Sequence, residues 1–353
     1  MRRLLFLCCL LFVALFVSNF NTLSLATEKS IGAIKLVAQE YIVDTPQKVV
    51  LLPDTIRFVG DVLLARRVET LMDSYGRNYP FAALPKIATT TVLVGNFESA
   101  IPPVHVHTPD FTFAFSVDTE NLQALNEYGF SHMSLANNHS YDYGATAFSY
   151  ATSSLASSSI VSFGNPVQLG TSSVTFVQID QLKTAIIGIN AVSVLPTNLE
   201  IASLMDYAKT QSVYQIVYVH WGTEYDVVHS QTQEELAMDL IDAGANAIIG
   251  HHPHVVQDVA LYNDVPVFYS LGNFVFDQYF SADVQVGLMI DIVAKDDNFA
   301  FALLPVTSIG SQSRPRLMSG LERDIFLKNL AIRSQDSLSD QIKTGQILIQ
   351  KTQ

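Results

Sequence analysis

The chain has 353 residues, of which 49% are hydrophobic and 15% are charged, and its formal net charge is -13. This composition supports a sizeable core and excludes an intrinsically disordered chain. The acidity argues against duplex nucleic acid as a partner, and it repels any polyanion unless basic residues or bound cations act locally.

The first 26 residues have the pattern of an export signal, with a basic start, an apolar run over residues 4–17 and small residues at the end, Ser24 and Ala26. The run is shorter than the roughly 20 residues that span a bilayer, so we expect cleavage, with an uncleaved membrane anchor as the alternative. Both cysteines, Cys8 and Cys9, lie in this segment. The mature chain would therefore have no disulfide, thiolate ligand or cysteine nucleophile. We expect an exported protein at the cell surface, in the periplasm or secreted.

The rest of the chain has the pattern of an α/β protein. Residues 27–54 are a connector, residues 55–310 form the predicted domain, and residues 311–353 form a C-terminal extension. Apolar runs predict strands at 55–60, 90–95, 131–135, 185–190, 214–219, 246–250, 256–262, 265–270 and 286–293. Amphipathic stretches predict helices at 118–128, 143–156, 199–210 and 231–243, with a further one at 321–332.

Clusters of metal-competent side chains follow five of these strands directly. In open α/β sheets ligands bind outside the carboxyl ends of the strands, so five loops would converge on one site. The clusters begin at Asp61, Asn96, Asn137, His220 and His251.

The first two clusters are weak when taken singly. Asp61 is a hard oxygen ligand suited to a divalent cation, although an Asp after a strand is commonly a turn or helix cap. Asn96 and Glu98 are two residues apart, which places both on one side of an extended segment. A solvated loop is the alternative for that pair.

The third cluster is more specific, because Asn137, Asn138 and His139 cannot all be satisfied cheaply in a core. The Asn138 amide oxygen is suited to complete a cation's shell. His139 is a candidate catalytic residue that protonates a leaving group or steadies developing charge. Asp142 would orient its imidazole.

In the fourth cluster, His220 at the strand end is suited to bind metal. Glu224 is a candidate ligand, ligand-orienting carboxylate or substrate contact. Trp221, the single tryptophan, either contacts substrate or closes the core beside the site.

In the fifth cluster, His251, His252 and His254 indicate metal binding, with a surface histidine patch as the alternative. Asn273, after a later strand, is either part of a tight turn or a contact in the site. The candidates for substrate contact are Asn96, Asn137, Trp221, Glu224, His251 and Asn273.

Six motifs in one order resemble those of the poly-γ-glutamate capsule biosynthesis (CapA/PgsA) family. They are Gly60-Asp61, Asn96-Phe97-Glu98, Ala136-Asn137-Asn138-His139, His220-Trp221-Gly222-Thr223-Glu224-Tyr225, Gly250-His251-His252-Pro253-His254-Val255 and Tyr269-Ser270-Leu271-Gly272-Asn273-Phe274. That family is similar to the calcineurin-like metallophosphoesterases. The resemblance implies an αββα sandwich of two mixed sheets flanked by helices.

The resemblance also implies ligand roles. Asp61 and His254 would hold one divalent cation, Glu98 would bridge, and a second cation would be held by Asn138, His220 and His252. Classical metallophosphoesterases carry Asp-x-His at the first motif. In this chain Asp61 is followed by Val62 and Leu63, so the histidine of that motif is missing. One or two divalent cations are therefore expected, and Mn, Zn, Fe and Mg are not distinguished.

Three functions fit this pattern. The first is a metal-dependent hydrolase or transferase acting on an anionic extracytoplasmic polymer such as poly-γ-glutamate. The second is a non-catalytic, polymer-binding component of a membrane capsule-synthesis complex. The third is a phosphoesterase acting on small phosphoesters.

Overall fold

The computed structural model describes residues 55–179, 182–295 and 298–350. The strands in this part of the chain are β1 Thr55–Val62, β2 Thr91–Phe97, β3 Phe130–Ser134, β4 Val161–Phe163, β5 Val174–Ile179, β6 Leu182–Asn190, β7 Tyr214–His220, β8 Ala247–His251, β9 Val259–Tyr262, β10 Val265–Phe268, β11 Asn273–Val275, β12 Val286–Lys295, β13 Asn298–Thr307, β14 Arg316–Leu317 and β15 Gln346–Gln350. The α-helices are α1 Arg66–Tyr75, α2 Leu122–Tyr128, α3 Gly144–Ser157, α4 Asn198–Gln211, α5 Gln231–Asp242, α6 Gly320–Arg333 and α7 Ser339–Thr344.

The strands form two mixed sheets. The first has nine strands in the order β14-β13-β12-β1-β2-β3-β4, with β11 beside β1 and β15 beside β13. Strands β1 to β4 are parallel, whereas β12 and β13 run antiparallel. The second sheet has the order β5-β6-β7-β8-β10-β9, and its central four strands are parallel.

A hydrophobic core lies between the two sheets and follows the two-residue period of the strands. Ile216 and Tyr218 of β7 belong to this core with Phe58 of β1, whereas Val217 and Val219 belong to a second core. Successive side chains of a strand point to opposite faces, so β7 is buried on both sides.

Helices α4 and α5 cover the outer face of the second sheet. Ile201 and Leu204 of α4, with Leu236 and Leu240 of α5, pack in the second core beside Val217. Both helices begin with a capping box, Thr197 with Glu200 and Ser230 with Gln233, which satisfies N–H groups that the helix itself leaves free.

The residues after 310 also join the first core. Leu327 and Leu330 of α6, Ile342 of α7 and Ile347 of β15 are fully buried within it. Strand β15 pairs with β13 from Asn298 to Ala302. Within the described residues this segment therefore extends the first sheet and its core.

The predicted strands and helices are all present, with bounds that differ by a few residues. The structure adds α1, α7 and the strands β4, β5, β11, β13, β14 and β15. The predicted export signal and connector lie outside the described residues. No helix in the described ranges combines the length and apolarity needed to cross a membrane.

Candidate metal centre

The candidate site lies where the carboxyl ends of strands from both sheets meet. Asp61 lies at the end of β1, and Glu98 and Asn138 follow β2 and β3 of the first sheet. In the second sheet His220 is the last residue of β7, and His252 follows β8. Asp61, Glu98 and His220 are completely buried. The convergence of five loops, predicted from the sequence, is present.

A bulge in β1 turns Asp61 towards this site. Phe58 pairs with Val94 and Asp61 pairs with Asn96, so β1 has one more residue than β2 between these two pairs. Without the extra residue, Asp61 would point away from the face that carries Phe58. The bulge therefore places Asp61 on the same face as Asn96.

Two glycines allow backbones to approach each other closely behind the site. A Cβ atom on Gly60 would lie 1.8 Å from the carbonyl oxygen of Gly272, and one on Gly250 would lie 2.0 Å from that of Tyr269. These distances exclude any side chain. The strand ends that carry Asp61 and His251 consequently pack directly against the 269–272 backbone.

Asn96 holds the two carboxylates together. Its Nδ2 donates to Asp61 Oδ1 at 2.9 Å and to Glu98 Oε2 at 3.2 Å, and its Oδ1 accepts from Asn137 Nδ2 at 2.9 Å. The Asn137 Oδ1 accepts from the backbone of His139 and Ser140. Asn96 and Asn137 are both fully buried, so they position the ligands and the His139 loop and offer no surface to a substrate.

The tautomer of His254 follows from its partner. Asn273 Nδ2 donates to the backbone carbonyl of Val284 at 3.0 Å, which fixes the orientation of the amide. Asn273 Oδ1 must therefore accept from His254 Nδ1, 2.9 Å away. The lone pair of His254 then lies on Nε2, which is 3.7 Å from Glu98 Oε1.

His139 is oriented in the same way by a carboxylate. Asp142 Oδ2 accepts from His139 Nδ1 at 3.0 Å and from the backbone N–H of Phe115 at 2.7 Å. The Phe115 ring stacks on the imidazole at 4.0 Å between centroids. His139 Nε2 is thereby directed at Glu98 Oε1, 3.9 Å away.

His220 contacts both Asn138 and His251. Its Nε2 lies 2.8 Å from Asn138 Oδ1, and its Nδ1 lies 2.7 Å from His251 Nδ1. His251 Nδ1 is in turn 3.4 Å from Asp61 Oδ1. A histidine from β8 therefore stands beside Asp61, although the sequence pattern lacks the histidine expected directly after it.

His252 and His254 have backbones in the left-handed region, with φ of 101° and 59°. Residues other than glycine rarely adopt such angles, and strained residues of this kind concentrate at functional sites. The two turns on either side of Pro253 bring both imidazoles into the cluster, with ring centroids 5.9 Å apart.

The donor set fits a divalent cation. Two groups each offer three ligand atoms within 4.8 Å of one another: Asp61, His220 and His251, and Glu98, His252 and His254. Glu98 Oε1, His251 Nε2 and His252 Nδ1 are buried without a hydrogen-bond partner in the described structure. Buried polar atoms are normally paired, so these orphaned atoms indicate that the site is built for a ligand.

The two carboxyl groups differ in acidity. Burial raises the pKa of Glu98 well above its ordinary 4.5, and the charge of nearby Asp61 raises it further. Burial alone would also raise the pKa of Asp61, but hydrogen bonds from His251 and His254 hold it well below 3.8. Without a cation, Glu98 therefore keeps its proton to a higher pH than an ordinary carboxyl group, whereas Asp61 ionises more readily than usual.

Burial favours the neutral form of His220, His251 and His252. It lowers the pKa of His220 well below 6.5, that of His252 to about 3, and that of His251 below its ordinary value, and neighbouring imidazoles add to the effect for His220 and His252. Neutral imidazoles keep a lone pair, which is the form that binds transition metals.

The remaining predicted residues lie at different depths. Trp221 is 1% exposed, and its Nε1 donates to the carbonyl of Tyr269 at 2.8 Å, so the structure places it in the core. Glu224 is exposed at the rim, close enough to raise the pKa of Glu98. Phe115 was not predicted, because an aromatic residue in a loop has no sequence signal for stacking on His139.

Known proteins are similar to this chain over the part that contains the candidate site. Residues 55–278 match the family model described as "Bacterial capsule synthesis protein PGA_cap". The chain is 28% identical over 290 residues to the "PGA biosynthesis protein CapA" of Bacillus subtilis (strain 168), covering 77% of this chain and 76% of that one. It is 32% identical over 246 residues to the "Capsule biosynthesis protein CapA" of Bacillus anthracis, covering 64% of this chain and 60% of that one. A crystal structure of a candidate 5'-nucleotidase from Staphylococcus aureus aligns with a TM-score of 0.42 at 10% identity, over 75% of this chain and 55% of that one.

Proposed function

We propose that this chain, which belongs to the bacterial capsule synthesis protein family PGA_cap, is an exported metal-dependent hydrolase or transferase. Its substrate would be an anionic extracytoplasmic polymer of the poly-γ-glutamate type, the product named for its Bacillus subtilis relative. We also propose that its fold is related to that of the metallophosphoesterases.

One observation carries the catalytic part of this proposal. Glu98 Oε1 is buried without a hydrogen-bond partner among the described residues. Nε2 of His254 and Nε2 of His139 lie 3.7 and 3.9 Å from it. A core has no use for an orphaned carboxyl oxygen between two oriented imidazoles, whereas a cation site does.

The residues that would hold metal are Asp61, Glu98, Asn138, His220, His252 and His254, and His251 lies close enough to join them. A divalent cation bound there supplies a Lewis acid and lowers the pKa of a bound water. Its binding requires Glu98 to lose its proton, because a carboxylic acid is a poor ligand.

His139 is the residue best placed to handle a proton. Asp142 holds its Nδ1, Phe115 covers one face of the ring, and the side chain remains 13% exposed. In amide hydrolysis a charged His139 would donate the Nε2 proton to the leaving nitrogen, and Asp142 would stabilise the imidazolium. Asn96 and Asn273 act earlier, by fixing the directions of the ligands.

The rim of the site offers contacts to a substrate. Glu224 is exposed there, and the hydroxyl of the half-exposed Tyr225 accepts from Gln278 Nε2 at 3.1 Å. Tyr225 also packs edge-on against the exposed ring of Phe280, with centroids 5.1 Å apart. The aromatic rings of this rim are suited to contact the methylene groups of a polymer. Bound cations would neutralise the charges of the polymer next to the rim carboxylate.

The test uses purified full-length protein incubated with poly-γ-glutamate, with and without added Mn²⁺ or Zn²⁺, and polymer length measured by gel filtration. We expect shortening only with metal. His139→Ala should keep the metal content of the wild type and lose turnover by a factor of about 100 to 10,000, the usual contribution of a general acid. His107→Ala, an exposed histidine outside the cluster, is the matched control.

Equal turnover in the wild type and His139→Ala would refute the proposed role of His139. Polymer binding without shortening, whichever metal is supplied, would assign the chain a non-catalytic role in a capsule-synthesis complex. Release of phosphate from small phosphoesters, with no effect on the polymer, would point to a phosphoesterase instead.

A further inference from the structure

A cavity of about 860 Å³ lies beside α1, separate from the residues of the metal-ligand cluster. One wall is the face of α1 that carries Arg67, Leu71 and Tyr75, which share one side of the helix because they are four residues apart. The facing wall is residues 310–312 and Arg314. We call this cavity the arginine groove.

The charge of the groove opposes that of the chain. Arg67, Arg77 and Arg314 line it, and Glu127 is its only acidic lining residue. The whole chain has 20 basic and 33 acidic residues. Three arginines against Glu127 and against Glu120, which lies 3.6 Å from Arg77, still make a local positive region on a molecule that repels anions at long range.

The guanidinium N–H groups of Arg67 and Arg314 are available to a ligand. In the described ranges, neither guanidinium of Arg67 and Arg314 forms a hydrogen bond or an ion pair with another side chain or backbone group. Arg314 Nε is buried without a partner. Its guanidinium lies 5.1 Å from the centre of the Tyr79 ring, which holds it in place without using its N–H groups. Arg77 is partly engaged, by Gln123 and by Glu120 at 3.6 Å.

The spacing of the charges favours a chain over a single small anion. Arg67 and Tyr75 are eight residues apart within α1, which corresponds to about 12 Å of helix rise, and Arg77 follows the end of the helix at Gly76. Such a distance cannot be bridged by one phosphate. Tyr75, which is 71% exposed, stacks with Tyr79 at 5.2 Å between these charges and offers an apolar surface to a polymer backbone.

Helix α1 also contacts the candidate site, through the residue before Arg67. Arg66, the neighbour of Arg67, points the other way and lies 4.5 Å from the centre of the Phe115 ring, which in turn stacks on His139. Arg66 forms a bidentate pair with Asp277, so α1 is fixed at this end.

We infer that the arginine groove binds a carboxylate-bearing polymer strand and is a site distinct from the metal-ligand cluster. Guanidinium groups pair with carboxylates in a two-pronged geometry, and repeated carboxylates match charges spread along a groove. The inference takes from the proposed function only the anionic polymer as ligand, and it requires neither metal nor catalysis.

The test measures binding of a fluorescein-labelled γ-glutamate oligomer to the full chain by anisotropy, in EDTA, so that cation-dependent binding is removed. Arg67→Gln/Arg314→Gln should weaken the Kd about tenfold or more, because two charge-assisted pairs are lost. Lys209→Gln/Lys343→Gln removes the same charge from two exposed surface pairs and should leave the Kd within about twofold. Arg67→Gln alone, with an intermediate loss, serves if circular dichroism shows the double variant unfolded.

A wild-type Kd in the folded double variant, or in Arg67→Gln when the double variant is unfolded, would overturn the inference. So would an equal loss in the lysine control. Polyphosphate or single-stranded DNA of matched charge binding more tightly than the glutamate oligomer would overturn the assignment to carboxylates. Failure of metal-dependent polymer cleavage, by contrast, would refute the proposed function and leave this binding result untouched.

Discussion

Replacing Glu98 by glutamine should stabilise the metal-free protein at neutral pH while weakening its response to metal. Glu98 is fully buried, and its pKa in the folded state is well above 4.5. The folded state therefore holds a proton that the unfolded chain releases above pH 4.5. The stability that this proton contributes is complete below pH 4.5 and is lost as the pH rises through the folded pKa.

The size of the effect has a ceiling. Between the ordinary value of 4.5 and pH 7 there are 2.5 pH units, and each is worth about 1.4 kcal/mol, so at most roughly 3 to 4 kcal/mol of stability is lost at pH 7. Glutamine is neutral at every pH and can still accept the bond from Asn96 Nδ2. We expect Glu98→Gln to unfold with a free energy about 1 to 3 kcal/mol higher than wild type at pH 7, and with no difference below pH 4.5.

The metal response should change in the opposite direction. At a metal concentration of about 100 times the wild-type Kd, binding stabilises the folded state by about 2.7 kcal/mol. A hundredfold weaker Kd in the variant would reduce that gain to about 0.4 kcal/mol. Urea denaturation in EDTA and in Mn²⁺ or Zn²⁺ measures both quantities, and Glu235→Gln, an exposed carboxylate on α5, is the matched control.

Two results would refute this reasoning. One is a loss of stability greater than about 1 kcal/mol in metal-free Glu98→Gln at pH 7, which would mean that the carboxylate is ionised and paired there. The other is a full metal-induced gain in the variant, which would remove Glu98 from the ligand set.

Three further changes test the structure around the site. Asp142→Asn should reduce turnover by about 10- to 100-fold in steady-state kinetics without changing metal content, because His139 loses the negative charge that stabilises its imidazolium; an unchanged rate would contradict this. Asp291→Ala should lower the free energy of unfolding by about 3 to 5 kcal/mol in urea, since it leaves Arg57 buried beside the deleted carboxylate; a loss below about 1 kcal/mol would show that water solvates the arginine. Gly250→Ala should be destabilised by at least about 3 kcal/mol, because its Cβ would lie 2.0 Å from the Tyr269 carbonyl, whereas Gly170→Ala, with open space around it, should fold normally in a thermal melt; similar melting temperatures would refute the close approach.

The sequence predicted the parts of the fold that depend on local patterns. Buried parallel strands are continuous apolar runs, and the polar residues that follow them stand out against that background. For this reason β1, β2, β3, β7 and β8 and their loops were predictable, and so was their convergence. The C-terminal strand β15 was not, because its pairing with β13 joins residues about 50 positions apart in the chain.

Within the site, the residues were predictable and their partners were not. The bulge that turns Asp61 inward depends on the register of β1 against β2, which no periodicity reports. His251 is the last residue of β8, next to His252, yet only the pairing of β7 with β8 brings its Nδ1 to 2.7 Å from His220 Nδ1. Phe115 reaches His139 because Asp142 binds its backbone N–H, a contact across 27 positions.

The left-handed backbones of His252 and His254 have a consequence for protein engineering. Each such angle costs about 1 to 3 kcal/mol in a residue with a side chain, and glycine would remove most of that cost. A screen for heat resistance would therefore favour replacing these two histidines, although they are candidate ligands. Thermostability and metal affinity are expected to trade off at these positions. Variants selected for one of these properties should therefore be assayed for the other.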